Sequence, residues 1–127
     1  MTILGIDPGF AITGFGVITI KDHQKSVLKD FGVITTHKDT PFPDRLSMIR
    51  KDIETVLDSA APDAACIEKL FFAKNTTTAL NVAHARGMII ERIASRNIPI
   101  IEYTPLEIKQ TVTGFGRATK DQVLKMT

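Results

Sequence analysis

The sequence predicts an α/β fold in which a five-stranded mixed sheet is flanked by helices. Three β-rich segments come first, and apolar strands then alternate with helical segments, in the order βββαβαβα with a further helix after them. The 127 residues are expected to form one domain, 1–127, because this length is typical of a single domain and the sequence shows no repeat, low-complexity tract or linker.

The first three segments are predicted to form an antiparallel meander. Thr2–Asp7 is mostly apolar without alternation, which is typical of a strand buried on both faces. Pro8 and Gly9 then force a turn. The segments 12–20 and 27–36 are rich in strand-forming residues and are joined by a short polar loop, as in a hairpin.

The next predicted unit is a helix followed by a short strand. Pro41 and Pro43 open the helix and Pro62 closes it, since proline suits the first helical turn but not the interior. Its apolar stripe comprises Leu46, Ile49, Ile53, Val56 and Leu57. The strand covers 63–68.

A long helix is predicted at 76–96, where Asn97 can end it, and a fifth strand at 98–103. This order of elements resembles the ribonuclease-H-like fold. Capping residues then begin two further helices, at Thr104 and at Thr119. The second has no terminating glycine, asparagine or proline, so we expect this last helix and the natural protein to continue past residue 127.

Composition and targeting signals predict a soluble cytoplasmic protein. The single cysteine, Cys66, allows no internal disulfide and fits a reducing compartment, and we expect it in the core. No charged segment leads into an apolar signal region, and the longest apolar runs are far below the ~20 residues of a membrane helix. Net charge is only +2, but 69–90 and 108–120 contain basic and no acidic residues. These stretches are either a phosphate-binding surface or ordinary solvated faces.

Asp7 and Glu68 are the candidate catalytic and metal-binding residues. Each ends an apolar strand, and the ends of parallel strands collect at one edge of a sheet, where ligands bind. A carboxylate there is costly without a partner, and Mg²⁺ prefers carboxylate oxygens. Two such ions about 4 Å apart can activate water in phosphodiester cleavage. The alternatives, a loop cap or a lysine partner, stay open at this point.

Other catalytic chemistries lack their motifs. The three histidines lie in polar stretches or mid-helix, and the sequence has no Gly-x-Ser-x-Gly elbow and no Cys/His cluster for zinc. The segment 114–120 lacks the Gly-Lys-Ser/Thr of a P-loop. The turn after Asp7 is similar to the phosphate hairpin of sugar kinases and actin-like ATPases, but those proteins need two domains.

Several segments, in order along nearly the whole chain, resemble the RuvC family of Holliday junction endonucleases. They are Gly5-Ile6-Asp7-Pro8-Gly9, Thr13-Gly14-Phe15-Gly16-Val17, Ile67-Glu68 with Phe71 and Ala73-Lys74-Asn75, Ala79-Leu80, Ala85-Arg86-Gly87, and Glu102-Tyr103-Thr104-Pro105 continuing to Lys109-Gln110 and Gly114. The resemblance implies a homodimer that binds four-way junction DNA, nicks two strands symmetrically and works with a branch-migration helicase assembly.

The resemblance also implies a four-acid site. Asp7 and Glu68 match its first two acids, and the other two lie on a later helix that this sequence does not contain. Mg²⁺ is the expected cofactor, with Mn²⁺ as a substitute and two ions per complete site, so we expect this chain to fold yet cleave junctions barely. Two departures stand out: Phe15 replaces a common tyrosine, and no basic residue follows the turn at Phe10 and Ala11.

Candidate DNA contacts come from the same resemblance and from the basic stretches. Phe71 matches an aromatic near the junction centre, and Lys109 and Lys120 match basic residues that face the DNA. Further candidates are Lys74, Asn75 and Arg117. The simpler alternatives are core packing for the aromatic, helix capping for the amide and solubility for the cations.

The apolar surface of the helix at 76–96 is wider than one stripe, so part of it is a candidate dimer interface. The candidate interface residues are Leu80, Ala83, Gly87 and Ile90. The alternative is a helix buried inside a single domain. Two other functions remain open: a nuclease of the same fold that acts on structured RNA, and a non-catalytic protein that binds branched DNA.

Overall fold

The computed structural model describes residues 1–21, 25–69 and 76–103. Within them, the elements are β1 (Thr2–Asp7), β2 (Ile12–Lys21), β3 (Lys25–Thr35), α1 (Phe42–Ala60), β4 (Ala64–Glu68), α2 (Thr76–Ala94) and β5 (Ile100–Tyr103). The strands form one sheet in the order β3-β2-β1-β4-β5. The pairs β1–β2 and β2–β3 are antiparallel, whereas β1–β4 and β4–β5 are parallel. The predicted five-stranded mixed sheet is therefore confirmed.

The core lies between one face of the sheet and the two helices. The sheet contributes a row of inward-facing apolar residues, and the helices contribute matching stripes. The core residues of the strands include Leu4, Ile6, Val17, Ile34, Ala65 and Ile67, and those of the helices include Ile49, Ile53, Leu57, Ala85, Ile89 and Ile93. The predicted stripe of the first helix thus supplies the core through three of its five residues.

The opposite face of β2 and β3 carries exposed apolar side chains. Phe31 and Val33 alternate with the buried Ile34, and Gly16 and Gly14 lie beside them on β2.

Neither of the helices in the described residues is long and apolar enough to cross a membrane.

A residue in the left-handed conformation follows each helix. Ala61 (φ 42°) follows α1 and donates its N–H to the Leu57 oxygen at 2.9 Å, and Pro62 then prevents a further turn. Asn97 (φ 60°) closes the turn after α2, as predicted, although the helix itself ends at Ala94. The fifth strand starts at Ile100, two residues later than predicted.

Cys66 is not in the core, contrary to our expectation. Its strand neighbours Ala65 and Ile67 face the helices, so alternation along β4 places Cys66 on the other face, where it is half-buried. Burial raises the pKa of its thiol.

Candidate carboxylate site

Asp7 and Glu68 end two neighbouring parallel strands, β1 and β4. Ile6 is aligned with Ile67 between these strands, and both isoleucines are buried on the face that the helices cover. Because successive residues of a strand point to opposite faces, Asp7 and Glu68 project together from the other face. The sheet therefore brings the two predicted site residues side by side.

The two carboxyl groups interact directly. Burial raises the pKa of Glu68, and a hydrogen bond with Asp7 and the negative charge of Asp7 raise that pKa further. Two carboxylates this close repel each other, and a proton or a cation between them relieves that repulsion. Their oxygens are the ligands that Mg²⁺ prefers, so the donor set fits a divalent ion.

The turn behind Asp7 is held by Thr13, which is fully buried. Its hydroxyl donates to the Gly9 oxygen at 2.8 Å and accepts from the Gly9 N–H at 3.1 Å. A Cβ at position 9 would lie 1.9 Å from the Ile12 oxygen, so this position requires glycine. The turn that follows Asp7 is thus fixed by the two hydrogen bonds of the Thr13 hydroxyl and by the close backbone approach that Gly9 allows.

Phe10 leads the chain from the turn into the core, and its ring packs against the guanidinium of Arg45. Its ring is buried, and the guanidinium carbon of Arg45 lies 3.9 Å from the ring centre. Arg45 Nε also donates to the Thr36 hydroxyl at 3.0 Å, which in turn donates to the Phe10 oxygen at 2.7 Å. The turn that lacks a basic residue of its own therefore has a basic side chain from α1 packed against it.

Arg86 of α2 reaches the ends of β4 and β5. Its Nε donates to the backbone oxygen of Glu68 at 3.4 Å, and its Nη2 donates to Glu102 Oε2 at 2.7 Å. Arg86 belongs to the acid-free stretch that the sequence offered as a phosphate-binding surface. Its side chain is only 17% exposed and its guanidinium is paired with Glu102, so in this structure it is engaged inside the protein and does not lie on an open basic surface.

The predicted interface residues of α2 differ in exposure. Leu80 is 52% exposed and Gly87 is exposed, whereas Ala83 and Ile90 are half-buried. Ile90 also packs against the core. An outward-facing apolar position and an outward-facing glycine thus lie on the same helix, and their role in a dimer stays a prediction.

Several predicted residues lie outside the described part of the chain. These are Phe71, Lys74, Asn75, Lys109, Arg117 and Lys120, together with the two helices expected after Tyr103. Their DNA contacts, and the expected weak cleavage by this chain, stay predictions. Within residues 1–21, 25–69 and 76–103, no group of three or more His, Cys, Asp or Glu could hold a metal ion. In those ranges, the candidate metal site therefore consists of the pair Asp7 and Glu68.

The strand order, the helices on one face and the acids at the ends of the two adjacent strands define a ribonuclease-H-like domain of the nuclease type. The family model described as crossover junction endodeoxyribonuclease RuvC matches residues 3–127. Relatives of that description from Ruminiclostridium cellulolyticum and Petrotoga mobilis are 49% and 46% identical, over 99% and 97% of this chain and 75% of each relative. The chain belongs to the RuvC family of crossover junction endodeoxyribonucleases.

Solved structures agree with this assignment. RuvC of Thermus thermophilus in complex with a Holliday junction substrate matches with a TM-score of 0.90 and 31% identity, over 99% of this chain and 76% of that chain. The yeast mitochondrial Holliday junction resolvase matches with a TM-score of 0.73 and 16% identity, over 97% of this chain and 59% of that chain, which shows the fold alone. The predicted family and fold are both confirmed.

Proposed function

We propose that Asp7 and Glu68 bind the divalent cation that cleavage of four-way junction DNA by this family requires. Membership of the RuvC family makes the chain a Holliday-junction-resolving endonuclease, a hydrolase of DNA phosphodiester bonds, and members of this family depend on a metal. The family match disfavours both the RNA-cleaving and the non-catalytic alternatives. The observation that carries the proposal is the parallel register of β1 and β4, which places the two carboxyl groups side by side; the raised pKa of Glu68 beside Asp7 supports it.

The chemistry of the pair suits Mg²⁺, with Mn²⁺ as a substitute and two ions in a complete site. A bound Mg²⁺ supplies an activated water and stabilises the leaving oxygen in phosphodiester cleavage. Asp7 and Glu68 hold it from adjacent strand ends, so their spacing is set by the parallel register of β1 and β4. Thr13 fixes the turn that follows Asp7 and thereby limits how far that carboxylate can move away from Glu68.

The substrate proposal combines a symmetric dimer with a DNA-binding surface. Two paired cuts in a junction of two-fold symmetry call for two equivalent sites, which a dimer supplies through one self-complementary surface. We assign that surface to α2, around Leu80, Ala83, Gly87 and Ile90. Phe71 would stack on junction bases, and the phosphate contacts would come from Lys74, Asn75, Lys109, Arg117 and Lys120. A branch-migration helicase assembly is the proposed partner.

The test compares the wild-type chain with Asp7→Asn and Glu68→Gln on a four-way junction, a matched duplex and a structured RNA. We expect whatever Mg²⁺-dependent nicking of the junction the wild type shows to fall more than about a hundredfold in both variants, on the scale of losing a preorganised electrostatic partner. Junction binding without metal should be retained, because the amides keep the shape of the site. Variants that nick the junction at the wild-type rate, or an equal preference for the RNA, would refute the proposal.

A further inference from the structure

Arg86 connects three elements at the edge of the sheet that carries the carboxylates. It comes from α2, its Nε donates to the backbone oxygen of Glu68, and its Nη2 donates to the carboxylate of Glu102 on β5. Glu102 is aligned with Ile67 between β4 and β5, so it faces the helices as Ile67 does. The guanidinium therefore lies at the end of β4 on the face that the helices cover, whereas the Glu68 carboxylate projects from the other face.

Arg86 contacts the peptide group from which the Glu68 side chain departs, so it can influence the direction of that side chain. Glu68 lies beyond the last residue of β4 that pairs with β1, so within the sheet its backbone is held on one side only, by the pairing with Tyr103 of β5 and by the Lys69 N–H, which donates to the Tyr103 oxygen at 2.7 Å. Arg86 restrains the Glu68 peptide from a helix whose neighbouring residues Ala85 and Ile89 are fully buried. A rigid helix thus holds the peptide from which the Glu68 side chain departs.

We propose that Arg86, held in place by Glu102, is a positioning residue that aims the Glu68 carboxylate at the cation shared with Asp7. The inference rests on the proposed function, since it assumes that Glu68 is a metal ligand. Partners that orient a ligand without touching the metal commonly change metal affinity 10–100-fold when they are removed.

The positioning role requires both Arg86 and Glu102, not Arg86 alone. A guanidinium that is only 17% exposed needs an opposite charge, and Glu102 supplies it at 2.7 Å. The planar fork of arginine can serve a carboxylate and a carbonyl at the same time, which the single ammonium of lysine cannot do with the same geometry. Glu102 therefore acts through Arg86, and Arg86 acts through the peptide of Glu68.

The test measures Mn²⁺ binding to the chain by electron paramagnetic resonance, alongside junction binding and thermal unfolding. The variants are Arg86→Gln, Arg86→Lys and Glu102→Gln. The matched control is Arg92→Gln, on the same helix, because Arg92 is 24% exposed and pairs with Glu91 and Glu54 away from the carboxylates. We expect Arg86→Gln to weaken Mn²⁺ binding about tenfold or more, Arg86→Lys to restore little, and Glu102→Gln to weaken it less. Arg92→Gln should bind Mn²⁺ like the wild type.

Three outcomes would overturn the inference. Mn²⁺ affinity could stay unchanged in Arg86→Gln while the unfolding temperature falls, which would show that the contact between Arg86 and Glu68 only stabilises the fold. Mn²⁺ affinity could fall equally in Arg92→Gln, which would show that the loss is not specific to Arg86. Junction binding could fall with a shallower salt dependence in Arg86→Gln, which would mark a phosphate contact. If Arg86→Gln does not fold, Glu102→Gln decides, and an unchanged affinity there counts against the inference.

Asp7→Asn separates this inference from the proposed function. If Asp7→Asn leaves Mn²⁺ binding intact, the carboxylate pair is not the metal site and the proposed function fails. If Asp7→Asn abolishes binding but Arg86→Gln and Glu102→Gln do not weaken it, only the positioning role fails.

Discussion

Thr13 is a buried polar residue whose hydroxyl donates one hydrogen bond to the turn behind Asp7 and accepts another from it. Thr13→Val keeps the shape of the side chain but leaves the N–H and the oxygen of Gly9 without this partner. We expect a loss of about 1–3 kcal/mol in the free energy of unfolding, measured in urea. Thr13→Ser, which retains the hydroxyl, is the control and should lose clearly less. Equal stability of the valine and serine variants would show that the hydroxyl does not hold the turn.

Glu68 makes the stability of the metal-free chain depend on pH. Because its pKa is raised above the ordinary value of 4.5, the folded state holds this proton more tightly than the unfolded state does. Its contribution is therefore fully present below that ordinary value and is lost as pH rises through the higher folded pKa. Asp7→Asn lowers the repulsion, so in chelator at about pH 7.5 it should be more stable than the wild type, by less than about 1 kcal/mol because the pair is partly solvated.

Thermal unfolding of both chains at about pH 4 and about pH 7.5 checks this prediction. The advantage of Asp7→Asn should shrink at the lower pH, where Glu68 is protonated in both states. An advantage that grows as the pH falls would contradict the assigned sign.

The sequence predicts Asp7 and Glu68 as the site residues, but it does not predict the residues that pack around them. The two acids are recognisable locally, because each ends an apolar strand. Arg86 could not be assigned in this way, since its partner Glu102 is 16 residues away on β5 and the two meet only because α2 packs across the ends of β4 and β5. The same holds for Arg45, whose place against Phe10 depends on how α1 crosses the sheet.

α1 is held to the sheet by a stripe that the sequence already shows. Ile53 has no exposed surface, so Ile53→Ala removes buried methyl groups and leaves a cavity. We expect a cost of about 2–5 kcal/mol in the free energy of unfolding, measured in urea. Met48→Ala, on the same helix at a position that is 43% exposed, is the control and should cost much less. Similar losses for the two variants would contradict the packing described for α1.

For the elements within the described residues, the existence and order could be predicted from the sequence, whereas the ends could not. Three-residue and four-residue spacings of apolar residues mark α1 along its length. Its last residue, however, depends on Ala61 adopting a left-handed conformation that the sequence gives no reason to expect of alanine. Asn97 was predictable because asparagine tolerates that conformation.

The dimer predicted at the scale of the whole molecule can be tested at Gly87. This residue is exposed, and a Cβ added there would meet no atom within 4 Å in the single chain. Gly87→Asp should therefore fold normally but bury an unpaired charge if α2 forms the interface, so we expect a monomer by sedimentation where the wild type is a dimer. Ser47→Asp, on the exposed part of α1, is the control and should leave the dimer intact. A wild-type monomer at high micromolar concentration, or a dimeric Gly87→Asp, would exclude this interface.

The mixed sheet could be predicted as a whole, but the exposure of one of its faces could not. Alternation in β3 places Phe31 and Val33 on the same side, yet only the three-dimensional arrangement shows that both helices cover the other side. The side of the sheet from which Asp7 and Glu68 project is fixed in the same way, by the isoleucines that precede them.

Metal binding by the carboxylate pair tests the central claim most directly. Mn²⁺ binding would be measured on the wild-type chain, Asp7→Asn, Glu68→Gln and the double variant, with Glu102→Gln as a neighbouring acid that is not a ligand. We predict that each single substitution weakens binding at least about tenfold, that the double variant binds no Mn²⁺ at this site, and that Glu102→Gln has a smaller effect than either. Wild-type affinity in both Asp7→Asn and Glu68→Gln would contradict the assignment of these two residues as the metal site.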